Sequence, residues 1–358
     1  MSRFLNSAYT NLKPYTPGEQ PKSVTRLIKL NTNENPYPPA PGVLKVINDD
    51  ELNKLKLYSD PEAAPLVEAI AEFNGLDKSQ VMVGNGSDEI LAFAFMAFRS
   101  ENNRILYPEI SYSFYPVYCD IFHADGVKVP LDDEFRVVPS DYYDADGTVV
   151  ITNPNAPTGI TLTREEIRGI LEHNRDNLVI IDEAYVDFGG ESAVPLINEY
   201  DNLLVVQTFS KSRSLAGARI GMAMGASEII ADLNRIKFSF NPYNLNRLSI
   251  LAGVEAMKDR AYFEKTSGLI AETRDSFVKD MESLGFRVLP SRSNFVFVSS
   301  EQISGEEYFL ALRKAGIIVR YFKDPKISNF VRITVGTPED MQALVDETRS
   351  ILEDAGRR

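Results

Sequence analysis

Thr148-Val-Val-Ile-Thr152 runs into Asn153-Pro-Asn-Ala-Pro-Thr-Gly159; Leu178-Val-Ile-Ile-Asp182 runs into Glu183-Ala-Tyr185; Leu203-Leu-Val-Val-Gln207 runs into Thr208-Phe-Ser210-Lys211. Each is a short, continuous apolar run that ends in a polar cluster. Stretches with helical spacing separate them, such as Thr163 to His173, where Thr163-Arg-Glu-Glu166 has the pattern of a capping box with Thr163 as N-cap. Apolar strands alternating with helices predict a parallel sheet covered on both faces. Val81–Val83 and Arg104–Tyr107 read as earlier strands of the same sheet.

Further out, the rhythm changes. A long helical stretch from Tyr262 to Leu284 precedes strands at Phe286–Pro290 and Phe295–Val298, a helix at Gly305–Ala315, strands at Ile317–Tyr321 and Phe330–Val335, and a last helix opened by Thr337-Pro338. Upstream, residues 14 to 42 are dense in proline and asparagine, which predicts an extended arm rather than a helix. The expected organisation is an arm over 1–44, packing on the small domain, a large domain over 45–250 and a small α/β domain over 251–358.

Composition narrows the function. The 358 residues are 44% hydrophobic and 25% charged, enough for a large core. The 38 basic and 51 acidic residues leave a net charge of −13, which argues against nucleic-acid and anionic-membrane partners. Cys119 is the single cysteine and fits a reducing cytoplasm. The two histidines, His123 and His173, are far apart, so no metal site is expected. Met1–Tyr15 has no signal-peptide core, and the longest apolar run, Ile90–Phe98, is shorter than the roughly 20 residues of a membrane span.

In open α/β sheets ligands sit at the carboxyl ends of the strands, so the polar clusters should meet in one crevice. Singly, each has an ordinary explanation: a turn, a helix cap, a surface lysine. Jointly, Asp182, Tyr185, Lys211 and Arg219 are what a pyridoxal 5'-phosphate site needs. A lysine bonds the cofactor aldehyde, a carboxylate keeps the pyridine nitrogen protonated, a phenol bonds the ring oxygen and an arginine pairs with the phosphate. Val83-Gly-Asn-Gly-Ser-Asp-Glu89 supplies a strand, a glycine turn and a helix N-terminus for that phosphate. Asp88 and Glu89 would repel it unless their side chains point away.

These motifs resemble the fold-type I pyridoxal-phosphate aminotransferases, and more closely the histidinol-phosphate aminotransferase family. The resemblance spans almost the whole chain: Leu30-Asn-Thr-Asn-Glu-Asn-Pro-Tyr37, Tyr58-Ser-Asp-Pro61, Gly84-Asn-Gly-Ser-Asp-Glu89, Ser111-Tyr-Ser-Phe-Tyr-Pro-Val-Tyr118, Asn153 to Gly159, Asp182 to Tyr185, Ser210-Lys211 with Arg219, and Val331-Arg-Ile-Thr-Val-Gly336. It implies a large three-layer α/β domain with a mostly parallel sheet and a smaller α/β domain. It implies that Lys211, Asp182 and Tyr185 are catalytic, that Tyr112 stacks on the ring, and that Ser87, Asp88, Ser210 and Arg219 meet the phosphate. Tyr58 would reach that phosphate from the partner subunit of a homodimer. The family usually has asparagine where Ala156 stands; Asn155 is the candidate to replace it.

Arg320 and Arg332 lie in apolar strands, where a charge is costly unless paired, so either an internal salt bridge or a ligand is expected. The resemblance assigns both to the substrate anion, with Tyr15 closing over the site; Tyr243 and Asn244 fall on the same approach without a defined role. The implied reaction moves an amino group between L-histidinol phosphate and 2-oxoglutarate, giving imidazole-acetol phosphate and glutamate, and runs in reverse in histidine synthesis. A threonine-phosphate decarboxylase-like lyase, an aromatic aminotransferase and a non-catalytic ligand-binding homologue are the alternatives.

Overall fold

The strands are β1 (Ile28–Lys29), β2 (Val81–Gly84), β3 (Arg104–Pro108), β4 (Asp125–Val129), β5 (Thr148–Thr152), β6 (Val179–Asp182), β7 (Leu203–Thr208), β8 (Gly221–Gly225), β9 (Phe286–Val288), β10 (Phe295–Ser300), β11 (Ile317–Ile318), β12 (Arg320–Tyr321) and β13 (Phe330–Thr334). The computed structural model describes residues 5, 7–10, 12–19, 27–98 and 102–356. Positions 1–4, 6, 11 and 20–26 of the expected arm lie outside the described residues.

Seven strands form one sheet in the order β2-β8-β7-β6-β5-β3-β4. All neighbours are parallel except β8, which runs antiparallel to both β2 and β7. Period-2 alternation divides its side chains between two cores. Val149, Ile151, Ile181 and Val205 point into one, with Leu66, Ile170 and Ala252; Val150, Ile180, Leu204 and Val206 point into the other, with Ile90, Phe93 and Leu233. The first face is covered by α3 (Ala64–Asn74), α6 (Arg164–Glu172) and α8 (Arg247–Lys258), the second by α4 (Ser87–Ala97), α5 (Tyr115–Phe122) and α7 (Ser227–Phe240). Two short helices, α1 (Pro41–Val46) and α2 (Asp49–Asn53), precede them. This is the expected three-layer α/β arrangement. The Thr163 capping box forms, with the Thr163 side chain accepting from Glu166 N.

Two sheet strands escape an apolar-run reading. β4 is an edge strand with mostly exposed side chains, and β8 is Gly-Met-Ala-Met-Gly, short of β-branched residues.

The smaller unit is an antiparallel sheet, β12-β13-β10-β9, packed on α9 (Arg260–Ser283), α10 (Gly305–Lys314) and α11 (Pro338–Gly356). Position 250 lies inside α8, and Ala256 and Met257 still belong to the large core, against which Tyr262 also packs, so the chain does not leave the large unit at 250. The arm pairs in parallel with β11 through β1, and Leu30 is buried in the small core. By Ala40 and Val43 the chain has joined the large core. The single expected strand over Ile317–Tyr321 is two: β11 bonds the arm, β12 bonds β13. Among the described residues no helix is long and apolar enough to cross a membrane.

Candidate active site

The carboxyl ends of β5, β6 and β7, the N-terminus of α4, the arm and β13 enclose a cavity of about 330 Å³. Its walls include Lys211, Asp182, Tyr185, Arg219, Ser87, Asp88, Tyr112, Ser210, Tyr15, Arg320 and Arg332. The residues assigned to the site are brought together, Asn155 and Tyr58 excepted; Tyr243 and Asn244, expected on the same approach, are not among its walls.

Lys211 follows β7, and its Nζ donates to the Thr32 carbonyl at 3.1 Å. Burial, then the positive charge of Arg332, lower its pKa to about 8. At about pH 7.5 roughly a quarter of such amines are neutral, against about one in a thousand at the ordinary lysine value. Asp182 closes β6 and is 3% exposed. Its Oδ2 accepts from Tyr115 Oη at 2.9 Å and its Oδ1 from Ala184 N at 3.2 Å. With no cation beside it, burial pushes the carboxyl up to about 6. The adjacent Glu183 turns away from the cavity, accepting from Ser192, Ala193 N and Gln207, and is pushed up to about 7 by burial. Tyr185 sits edge-on to Phe295, with ring centroids 5.0 Å apart, and its Oη accepts from Asn33 Nδ2 at 3.0 Å.

The glycine turn before α4 has a steric logic. Gly86 has φ +84, and a Cβ there would lie 2.5 Å from Arg219 Nη2. On Gly221 a Cβ would lie 2.4 Å from Ser87 N, so β8 approaches the turn only because Gly221 has no side chain. No side chain caps the helix, which leaves its first N–H groups facing the cavity. Arg219 itself is held at φ +53, strain of the kind that accumulates at functional sites. Of the two acids, Glu89 does turn away, accepting from Asn85 N and Asn244 Nδ2. Asp88 does not. Its Oδ2 meets Arg219 Nη2 at 3.0 Å and its Oδ1 accepts from Tyr112 Oη at 2.7 Å, so the guanidinium offsets its charge.

At the other end, β12 and β13 set Arg320 directly opposite Arg332. Like charges in register repel, and neither guanidinium has a carboxylate partner among the described residues. Arg332 Nη2 donates to the Asn31 carbonyl at 3.0 Å and its Nε is buried without an acceptor; Arg320 Nη2 reaches only the Thr16 carbonyl at 3.3 Å. The internal salt bridge that would have explained these strand arginines is absent. Tyr15 lies against Phe114, with centroids 4.9 Å apart, and burial raises its hydroxyl pKa.

Two residues stand apart. Asn155 does not reach the cavity: its Nδ2 donates to the Ile110 carbonyl at 3.0 Å and Thr158 Oγ1 at 3.1 Å, so it does not take over from the asparagine missing at position 156. Ala156 lines the cavity instead. Tyr58 is 82% exposed and stacked on Tyr243 at 4.5 Å, outside the cavity of its own chain. Sequence reasoning passed over Tyr115, which orients Asp182, and Asn33, which holds Tyr185. Both lie in the quoted Ser-Tyr-Ser-Phe-Tyr and Leu-Asn-Thr-Asn motifs, but only the fold sets them beside their partners.

The donor set fits pyridoxal 5'-phosphate: a partly neutral amine, a buried carboxylate lacking a cation, a phenol, and an arginine with a hydroxyl at an uncapped helix N-terminus. Residues 25–347 match the family model for aminotransferase class I and II. A histidinol-phosphate aminotransferase of Brachyspira hyodysenteriae is 49% identical over 99% of this chain and 100% of its own length. The crystal structure of the histidinol-phosphate aminotransferase from Clostridium acetobutylicum superposes with a TM-score of 0.84 at 27% identity, covering 92% of this chain and 100% of that one. That of Sinorhizobium meliloti, in complex with pyridoxal-5'-phosphate, shares the fold with a TM-score of 0.82 at 23% identity over 91% of each chain. A cavity built from these strand ends, matched along nearly its whole chain by such relatives, makes this enzyme a member of the histidinol-phosphate aminotransferase family within aminotransferase class I and II.

Proposed function

We propose that this chain binds pyridoxal 5'-phosphate and transfers an amino group between L-histidinol phosphate and 2-oxoglutarate, as a cytoplasmic homodimer. The observation that carries the substrate is the facing pair Arg320 and Arg332, without acidic partners, in the same cavity as Lys211. Two opposed, half-buried guanidinium groups suit a dianion: a phosphate in one half-reaction, a dicarboxylate in the other. The second anion position, at Arg219, Ser210 and the N-terminus of α4, suits the cofactor phosphate.

Pyridoxal phosphate, when bound, supplies an electron sink for the substrate carbon. Lys211 is the residue that would hold its aldehyde, and its amine would move the proton of that carbon. Asp182, oriented by Tyr115 and Ala184 N, would set its negative charge against the pyridine nitrogen and so keep that nitrogen protonated. Tyr185 would donate to the ring oxygen, and Tyr112 would stack on the ring. Tyr15 excludes water above the substrate. Tyr58, exposed with Leu55 and Leu57, supports a second copy that covers this face and lends Tyr58 to the neighbouring phosphate site. The buried free thiol of Cys119 is consistent with a reducing cytoplasm.

The aromatic lining of Tyr15, Tyr112 and Phe322 supports a second reading, transamination of aromatic amino acids. One experiment separates the readings. The purified, cofactor-loaded protein is titrated with L-histidinol phosphate, glutamate and phenylalanine while its visible absorbance is followed, and carbon dioxide is assayed with threonine phosphate. Saturation by histidinol phosphate at the lowest concentration, with glutamate as partner, supports the proposal; a better response to phenylalanine, or carbon dioxide release, overturns it.

A further inference from the structure

We infer that Asn33 is a positioning residue: clamped by Thr334, it donates to Tyr185 Oη and leaves the phenol's own proton free for a cofactor oxygen, where Ala156 offers no donor. The inference rests on the reading of Tyr185 given above.

Asn33 is 1% exposed, at φ +56, and each of its polar groups is engaged. Its N–H donates to Thr334 Oγ1 at 3.0 Å, and its carbonyl accepts from Asn294 Nδ2 at 3.0 Å. A hydroxyl has one proton. Thr334 Oγ1 accepts from the Asn33 N–H and donates its own proton to Asn33 Oδ1, 3.0 Å away. That turns Nδ2, not Oδ1, toward Tyr185 Oη, 3.0 Å away. The phenol oxygen therefore accepts, and among the described residues nothing accepts the phenol's own proton, although Tyr185 lines the cavity. Accepting one hydrogen bond polarises the O–H and strengthens it as a donor. Burial alone would make this phenol a poorer acid; the Asn33 contact and the Arg332 charge oppose that.

The neighbouring wall explains why one strengthened donor matters. Ala156 is packed with Tyr185 and Phe295 in a single apolar cluster and has no polar group to add. Thr334 lies on β13, the strand that bears Arg332, so one strand sets both the substrate anion position and, through Asn33, the phenol.

A donor to the cofactor's ring oxygen would stabilise negative charge there and make the linking nitrogen, which is Lys211 Nζ itself, less basic. The test is the pH midpoint of the visible absorbance change of protein reconstituted with pyridoxal phosphate, alongside cofactor dissociation constants and far-ultraviolet circular dichroism. Tyr185→Phe should raise the midpoint by about one pH unit and Asn33→Ala by about half a unit, roughly threefold in the proton equilibrium. The double variant should match Tyr185→Phe alone, because both act through one hydrogen bond. Ala156→Asn added to Asn33→Ala should bring the midpoint back down. Should Asn33→Ala fail to fold, Thr334→Val, which frees the carboxamide to rotate, should shift the midpoint in the same direction. An unmoved midpoint in Tyr185→Phe would sink the reading of Tyr185 itself. A normal response there, with Asn33→Ala either silent or additive to Tyr185→Phe, would sink the role of Asn33.

Discussion

Replacing Asp182 with asparagine should stabilise the cofactor-free protein at about pH 8 while weakening its hold on the cofactor. The carboxyl titrates at 3.8 in the unfolded chain and at about 6 in the folded one, because burial penalises its charge. That displacement costs the ionised folded form about 3 kcal/mol. The sign follows from the proton count. Above about pH 6 both states are ionised and the folded protein bears the full cost; as pH falls from 6 to 3.8 the folded state takes up its proton first and the cost disappears. Asparagine keeps one acceptor oxygen, for Tyr115 or for Ala184 N, and its Nδ2 leaves the other donor unpaired, an offset of about 1–2 kcal/mol. The net gain of about 1–2 kcal/mol corresponds, for a chain of this length, to a rise in melting temperature of roughly 2 °C. Differential scanning calorimetry of the cofactor-free wild type and Asp182→Asn, at about pH 8 and about pH 5, measures it. The variant should melt higher at the upper pH, and the difference should shrink at the lower one. Equilibrium dialysis with pyridoxal phosphate should show the opposite order of affinity. An equal or lower melting temperature for the variant at the upper pH, or a gap that widens on acidification, would refute the claim that this carboxylate is held at a cost in the empty site.

Cofactor capture by the empty protein, followed by stopped-flow absorbance, should accelerate about 25-fold between about pH 6.5 and 8.5 and then level off, since the Lys211 amine titrates at about 8; Lys211→Ala should fold, show no such absorbance and have no turnover. Arg332→Met should raise the KM for a phosphorylated or dicarboxylate substrate by about 10²-fold or more, through loss of a charge-assisted pair, with little change in melting temperature. If the two copies share their sites, Tyr58→Ala and Lys211→Ala, each inactive alone, should regain roughly a quarter of wild-type activity when refolded together, because about half of all dimers are then mixed and each mixed dimer has one of its two sites intact; no regain would argue that each site is built from one chain.

Local sequence determined the strand-and-helix alternation, the helix caps at Thr163 and the polar strand ends, because each depends on neighbouring residues alone: apolar periodicity, capping geometry, and the rule that parallel strands deliver their carboxyl ends to one edge. Asp182, Lys211 and Arg219 were legible for that reason. Tertiary structure decided the rest. The close approach of β8 to the turn before α4 depends on Gly221 lacking a side chain, a contact between residues far apart in the chain. The run of the large unit past position 250 depends on which core α8 enters, and the division of Ile317–Tyr321 on which neighbours its N–H groups find. The exclusion of Asn155, the roles of Tyr115 and Asn33, and the unpaired state of Arg320 and Arg332 follow from the directions of single hydrogen bonds, which no spacing along the chain encodes.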